Sequence, residues 1–147
     1  MPGCALRWIN HGRHRIVIKE LMAKSSKLVA KKRQRIILVR RRRDHLWMLP
    51  GGRKRARESA KDCLRREIKE ELPKLRLGPV KLWKQIKAKN RSSGRKMSDA
   101  IFIASAVSGP LKIGDKKEID RATWSKARGL RLTPTSRYIR DKLLPKR

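Results

Sequence analysis

An α/β or α+β sandwich is the fold class this sequence predicts. Apolar, β-branched runs recur along the chain, one central segment switches to helical periodicity, and a Pro-Gly-Gly turn joins the two patterns. The 147 residues suit a single domain spanning 1–147, since domains commonly run to about 100–200 residues. Residues 1–24 mix apolar and basic positions without a period, and 16–18 is the candidate edge strand there. Residues 27–30 and 35–40, parted by the polar run 31–34, read as the two arms of a hairpin. Trp47, Met48 and Leu49 then lead into Pro50, Gly51 and Gly52, a strand end entering a tight turn. From 59 to 72 the period becomes helical: Leu64, Ile68 and Leu72 recur every four residues and form one apolar stripe, which Pro73 ends. Further strands are expected near 80–86, 100–107 and 119–124, with a polar loop at 87–96 and a turn at Gly114 and Asp115. Thr133 or Thr135 is placed to cap a last helix running to about Leu144, before Pro145.

Composition excludes several classes. No apolar run approaches the roughly 20 residues of a membrane span, and Arg7, Arg13, His14 and Arg15 break up any signal-like stretch. Two cysteines, Cys4 and Cys63, are too few for a disulfide scaffold or a cysteine-rich zinc site. The expectation is a soluble protein of the reducing cytoplasm with no membrane partner. The 43 Lys and Arg against 12 Asp and Glu give a formal charge of +31, which costs stability by self-repulsion and favours polyanionic company.

Against that background the acidic residues are informative. Five of the twelve fall between 58 and 71: Glu58, Asp62, Glu67, Glu70 and Glu71. Glu67, Glu70 and Glu71 stand at i, i+3 and i+4 on the expected helix, where like charges repel by roughly 0.2–0.5 kcal/mol per pair. A hard divalent cation relieves that repulsion, because magnesium takes a few carboxylates together with waters and phosphate oxygens. The plainer alternative is a solvated face paired with Lys61, Arg65, Arg66 and Lys69.

The flanking residues favour the cation. Gly52, then Glu58 six positions on, then Arg66, Glu67, Ile68, Lys69, Glu70 and Glu71 resembles the Nudix box, and Trp47 to Gly52 is similar to the usual approach to that box. The box spans 52–74, and the resemblance extends from about residue 25 to the C-terminal helix. One position departs from it: Pro73 stands where the family has a glycine. Proline cannot take the positive φ with which that glycine ends a helix, so the helix needs another exit, with Leu75 in the apolar role.

The resemblance implies a Nudix-type α/β/α sandwich with a mixed β-sheet and a loop-helix-loop motif. It also implies a hydrolase cleaving a diphosphate linkage in a nucleoside diphosphate joined to another group, or in a polyphosphate, with Mg2+ or Mn2+. Carried over, Glu67, Glu70 and Glu71 are the metal ligands, and Glu58 assists as an outer ligand or by pairing with Arg66. Arg66 holds the carboxylates in place, and Gly51 and Gly52 bring the backbone close to the metal. The general base varies within the family. Glu118, six residues before Trp124, is the candidate from a later loop, with a plain surface-turn role as the alternative.

Arg40, Arg42 and Arg53 lie in basic segments that border the box if the loops converge, where they would attract an anionic substrate. A basic bias spread over all faces accounts for the same charge. Cys63 reads as a packed thiol, and His11 and His14 lack partners for a metal. Trp47 and Trp83 suit either the core or a base stack, Phe102 and Trp124 read as core, and Asp99 is a possible contact for a substrate hydroxyl. The rival function is a non-catalytic or RNA-directed module of the same fold, including one acting on RNA 5′ ends. With only six aromatic residues in the chain, its nucleic-acid affinity would be electrostatic and strongly salt-dependent. The protein is expected to be a monomer or homodimer.

Overall fold

In a computed structural model that describes residues 23–89 and 96–144, two sheets, one mixed and one antiparallel, lie between two helices. The candidate strand at 16–18, His11 and His14, and residues 90–95 of the expected loop lie outside the described residues. The strands are β1 (Ser25–Val29), β2 (Lys31–Lys32), β3 (Arg35–Arg41), β4 (Trp47–Met48), β5 (Gly51–Arg53), β6 (Arg76–Leu77), β7 (Val80–Lys89), β8 (Lys96–Ala104), β9 (Val107–Ser108) and β10 (Ile119–Ser125). The helices are α1 (Ala60–Glu71) and α2 (Pro134–Leu143).

One sheet runs β5-β1-β8-β7, with β1 and β8 parallel and the other neighbours antiparallel. A second, antiparallel sheet runs β10-β3-β2, with β4 also paired to β3, and β6 pairs with β9. The expected hairpin is thereby corrected. Its tight turn joins β2 to β3 at Arg33, a residue with φ of 54°, while residues 27–29 belong to β1 in the other sheet. The chain changes sheets at Ala30, whose carbonyl still accepts the Ile37 N–H at 3.3 Å. The strand expected at 100–107 ends at Ala104, and β7 and β8 run on through the flanks of the polar loop to pair Lys89 with Lys96.

Consecutive apolar residues in β3 explain the layering. Ile36, Ile37, Leu38 and Val39 are all buried, the pattern of a strand covered on both faces. Ile37 and Val39 join Leu28, Phe102 and the α1 stripe of Leu64, Ile68 and Leu72 in one cluster. Ile36 and Leu38 join Val29, Ile101, Leu49 and Ile139 of α2 in the other. Phe102 is fully buried; Trp47, Trp83 and Trp124 are half-buried against these clusters.

Helix α1 begins where Ser59 Oγ accepts the Asp62 N–H at 3.0 Å, a side-chain N-cap. Its far end has no glycine cap. The carbonyls of Glu70 and Glu71 instead accept the N–H groups of Asp115 and Gly114, each at 2.9 Å, so a distant loop satisfies the helix terminus. Leu75 is buried and its N–H returns to the Leu72 carbonyl at 3.0 Å, filling the apolar role that Pro73 leaves open. At the start of α2, Thr133 occupies the cap position, but its hydroxyl meets Ser136 Oγ at 2.8 Å and caps no backbone group.

A Cβ at Gly114 would collide with the Glu70 carbonyl and stand 2.9 Å from Pro73 Cδ. Gly114→Ala is therefore expected to destabilise the protein by about 1–3 kcal/mol, the usual scale of overpacking, as read by chemical denaturation; an unchanged midpoint would mean the loop does not cap the helix.

Candidate active site

The last two turns of α1 lie against the β5 turn, and the two glycines there determine how closely. Gly51 has φ of 139°, and a side chain on it would strike the Ser26 carbonyl; its N–H donates to Glu71 Oε1 at 2.8 Å. Gly52 faces the Glu67 carboxylate so closely that a Cβ would overlap it. Each glycine of the turn thus seats one carboxyl group of the helix.

Burial sets the electrostatics. Glu71 is only 1% exposed and Glu67 8%. Desolvation pushes the Glu71 carboxyl up to about 8, against relief from Lys27 and the Gly51 N–H, and the charges of Glu67 and Glu118 raise it further. Glu67 is also raised, first by burial and then by the charges of Glu70 and Glu118. Glu118, whose carbonyl accepts the Arg42 N–H at 2.8 Å just before β10, therefore acts on both buried carboxyls across more than forty residues of sequence.

Arg66 organises the remainder. It forks onto Glu58 through Nε (2.7 Å) and Nη2 (3.0 Å), donates from Nη1 to Glu67 Oε1 at 2.8 Å, and reaches both Glu70 oxygens at 3.5 Å. Nη2 also donates to the Arg53 carbonyl at 3.0 Å, tying helix to turn. These hydrogen bonds, with that from the Arg55 N–H, hold the Glu58 carboxyl at about 2. Glu70 is the exposed member of the group, 3.8 Å from Arg55 Nη2.

The substrate-binding candidates divide. Arg40 is engaged by Asp120 in a two-point pair at 2.8 and 2.9 Å, and Arg42 Nε donates to the Lys116 carbonyl at 2.6 Å. Arg53 keeps an exposed side chain beside the turn. Asp99 is buried and accepts from the hydroxyls of Ser25 and Thr135, which makes it a structural tie. Cys63 is a buried thiol donating to the Gly52 carbonyl at 3.4 Å, raised by desolvation. Lys27, absent from the sequence reading, is the cation acting on Glu71, and its Nζ lies 3.9 Å from Met48 Sδ. Its signal was the one charged residue in β1, just before the apolar run Leu28, Val29 and Ala30.

Among the described residues no three acidic side chains converge closely enough to hold an ion as they stand, because Glu58 and Glu67 lean on Arg66. The donor set nevertheless fits a hard cation. It consists of carboxylate oxygens, and its two buried members, Glu67 and Glu71, are raised by burial and by neighbouring carboxylates.

Known proteins point the same way. The NUDIX domain model matches residues 26–146. The chain belongs to the Nudix hydrolase family. Among solved structures it is similar to a MutT Nudix hydrolase from Burkholderia pseudomallei, with 23% identity and a TM-score of 0.72 over 81% of this chain and 95% of that one. It is also similar to a Nudix hydrolase from Nitrosomonas europaea, with 20% identity and a TM-score of 0.68 over 80% and 86%. The E. coli dihydroneopterin triphosphate pyrophosphohydrolase shares the fold at 16% identity and a TM-score of 0.64 over 82% and 93%. No curated protein matches the sequence significantly. Among the described residues no helix is long and apolar enough to cross a membrane.

With its folded pKa raised from 4.5 to about 8, Glu71 binds an extra proton in the folded state between those values. Its contribution to stability is full below the lower value and is lost as pH rises through the upper one. Glu71→Gln in chelator-treated protein should raise Tm by several degrees at pH 9 and leave it unchanged at pH 5; equal effects at both pH values would contradict a buried ionising group. Arg66→Ala, which strands Glu58 and Glu67, should cost about 1–3 kcal/mol, measured by urea unfolding at pH 7.

Proposed function

We propose that the chain is a divalent-cation-dependent hydrolase cleaving a diphosphate linkage in a nucleoside diphosphate derivative or polyphosphate. The observation that carries this is the pair of buried helix carboxyls, Glu67 and Glu71, seated on the Gly51–Gly52 turn under the charge of Glu118. Such an assembly opposes its own ionisation and is stabilised by a cation. Glu67, Glu70 and Glu71 are the residues that would hold Mg2+ or Mn2+, with Glu58 behind them through Arg66. When bound, the ion neutralises diphosphate oxygens and makes a water acidic enough to lose a proton near neutral pH.

The chain's own residues do the rest. Arg66 keeps Glu67 and Glu70 on one guanidinium nitrogen, so that both stay beside the turn. Gly51 and Gly52 remove the side chains that would separate helix from backbone. Glu118 is our choice for the group that accepts the proton of the attacking water, since it carries negative charge to the same place from another loop. Arg53, exposed at the turn, draws the anionic substrate in. The smaller candidate substrates and a triphosphorylated RNA end share this diphosphate chemistry.

A specific contact favours a second reading. Arg66 Nη1 serves both Glu67 and Glu70, and a guanidinium permanently in that position would suit a non-catalytic binding module. Hydrolysis separates the two. With magnesium and a panel of nucleoside triphosphates, dinucleoside polyphosphates, nucleotide sugars and triphosphorylated RNA, wild type should turn over at least one substrate and lose activity with chelator. Glu70→Gln and Glu71→Gln should each reduce kcat by about 10²–10⁴-fold, with wild-type circular dichroism. Variants as active as wild type would remove these carboxylates from the chemistry.

A further inference from the structure

Glu118 is exposed at the end of a loop, residues 114–118, that runs into β10. Packing does not hold such a side chain, yet the loop beneath it is bonded on two sides. Toward α1, the N–H groups of Gly114 and Asp115 donate to the carbonyls of Glu71 and Glu70, each at 2.9 Å. Asp115 also closes the loop on itself, its Oδ1 accepting the Lys117 N–H at 3.0 Å and its carbonyl the Ile119 N–H at 3.4 Å. Toward the second sheet, Arg42 takes the loop at two points. Its backbone N–H donates to the Glu118 carbonyl at 2.8 Å, and its Nε donates to the Lys116 carbonyl at 2.6 Å.

Arg42 stands on a firm base. In the turn that leaves β3, the Arg41 N–H donates to the Leu46 carbonyl and the Arg41 carbonyl accepts the His45 N–H, both at 2.8 Å. The Arg41 guanidinium forks onto Asp44 at 3.0 and 2.6 Å. Three consecutive arginines thus do different work. Arg40 and Arg41 each pair with an aspartate, whereas Arg42 meets a neutral carbonyl two residues before Glu118. A carboxylate that takes a proton from a bound water needs a fixed position, since a displacement of about 1 Å can cost roughly 10²-fold in rate. The charge of Glu118 is felt by both Glu67 and Glu71, which puts this loop beside the carboxyl cluster.

We propose that Arg42 is a positioning residue: it fixes the 114–118 loop from the side opposite α1 and so holds Glu118 where it accepts the proton of the attacking water. The proposal rests on the role given to Glu118 above. It moves Arg42 from the substrate contacts expected from sequence to the frame that supports the reaction.

Steady-state kinetics of the full chain with magnesium, on diadenosine tetraphosphate or whichever panel substrate wild type turns over fastest, test it. Arg42→Ala should lower kcat about 10- to 100-fold, the scale of a misplaced reacting group, and leave KM within about threefold. Arg42→Lys, which keeps a donor for the Lys116 carbonyl, should recover most of that loss. Arg43→Ala removes the same charge one residue on and should leave kcat within about twofold. In a Glu118→Gln background, Arg42→Ala should change kcat by no more than about twofold, because its effect passes through Glu118. Amide exchange across 114–119, read by mass spectrometry, should quicken in Arg42→Ala. A raised KM with unchanged kcat would make Arg42 a substrate contact and overturn the proposal. So would losses from Arg42→Ala and Arg43→Ala of equal size, or faster exchange without loss of kcat. If Arg42→Ala is fully active while Glu118→Gln is not, the proposal alone fails. If Glu118→Gln is fully active, the assignment of the proton acceptor fails and takes the proposal with it.

Discussion

Two carboxyl groups buried at the C-terminal end of α1 constrain everything around them. Glu71 and Glu67 lose most of their water on folding, and each sits against one of the paired glycines of the β5 turn. Burial of this kind is tolerated only with compensation. Here it comes from a backbone N–H, from Lys27 in the neighbouring strand, and from the guanidinium of Arg66. The turn, the strand β1 that flanks it and the helix are thus mutually dependent: moving any of them leaves a buried carboxyl without a partner.

Arg66 is the mechanical centre of that arrangement. It reaches Glu58, Glu67, Glu70 and the Arg53 carbonyl from one side chain, so the loop before α1, the helix and the turn share a single planar fork. The same contacts that organise the carboxylates also occupy them. A cation held by Glu67 and Glu70, as proposed, would have to compete with Arg66 for them, while the Glu58 pair could remain as it stands. That division gives physical content to the difference between an inner ligand and an outer support.

The excess of positive charge is distributed unevenly in its effects. Arg40 and Arg41 are engaged by Asp120 and Asp44, and Arg140 by Asp141, so several of the scarce acids neutralise individual arginines in the second sheet and in α2. On β7 and α2, Lys84 and Lys142 lie instead over aromatic rings. A cation over a ring remains available to an anion in a way that a two-point carboxylate pair does not.

How much of this was legible in the sequence follows from the range of each interaction. Local patterns sufficed for the helix, because the spacing of Leu64, Ile68 and Leu72 acts within a few residues. The glycine and glutamate spacing of the box pointed to the family for the same reason. The hairpin was misassigned because a run of β-branched residues reports strand and not partner, and Ala30 hands the chain from one sheet to the other. Sequence by itself determined the two helices, the long strands and the clustering of acids on one helix. Only the tertiary structure decided that Gly114 and Asp115 close that helix in place of a glycine cap, that Lys27 and Glu118 act on the buried carboxyls, and that Trp83 and Tyr138 line one groove. Those contacts join residues that nothing local relates, and burial, which gives them their strength, exists only once the sheets have closed.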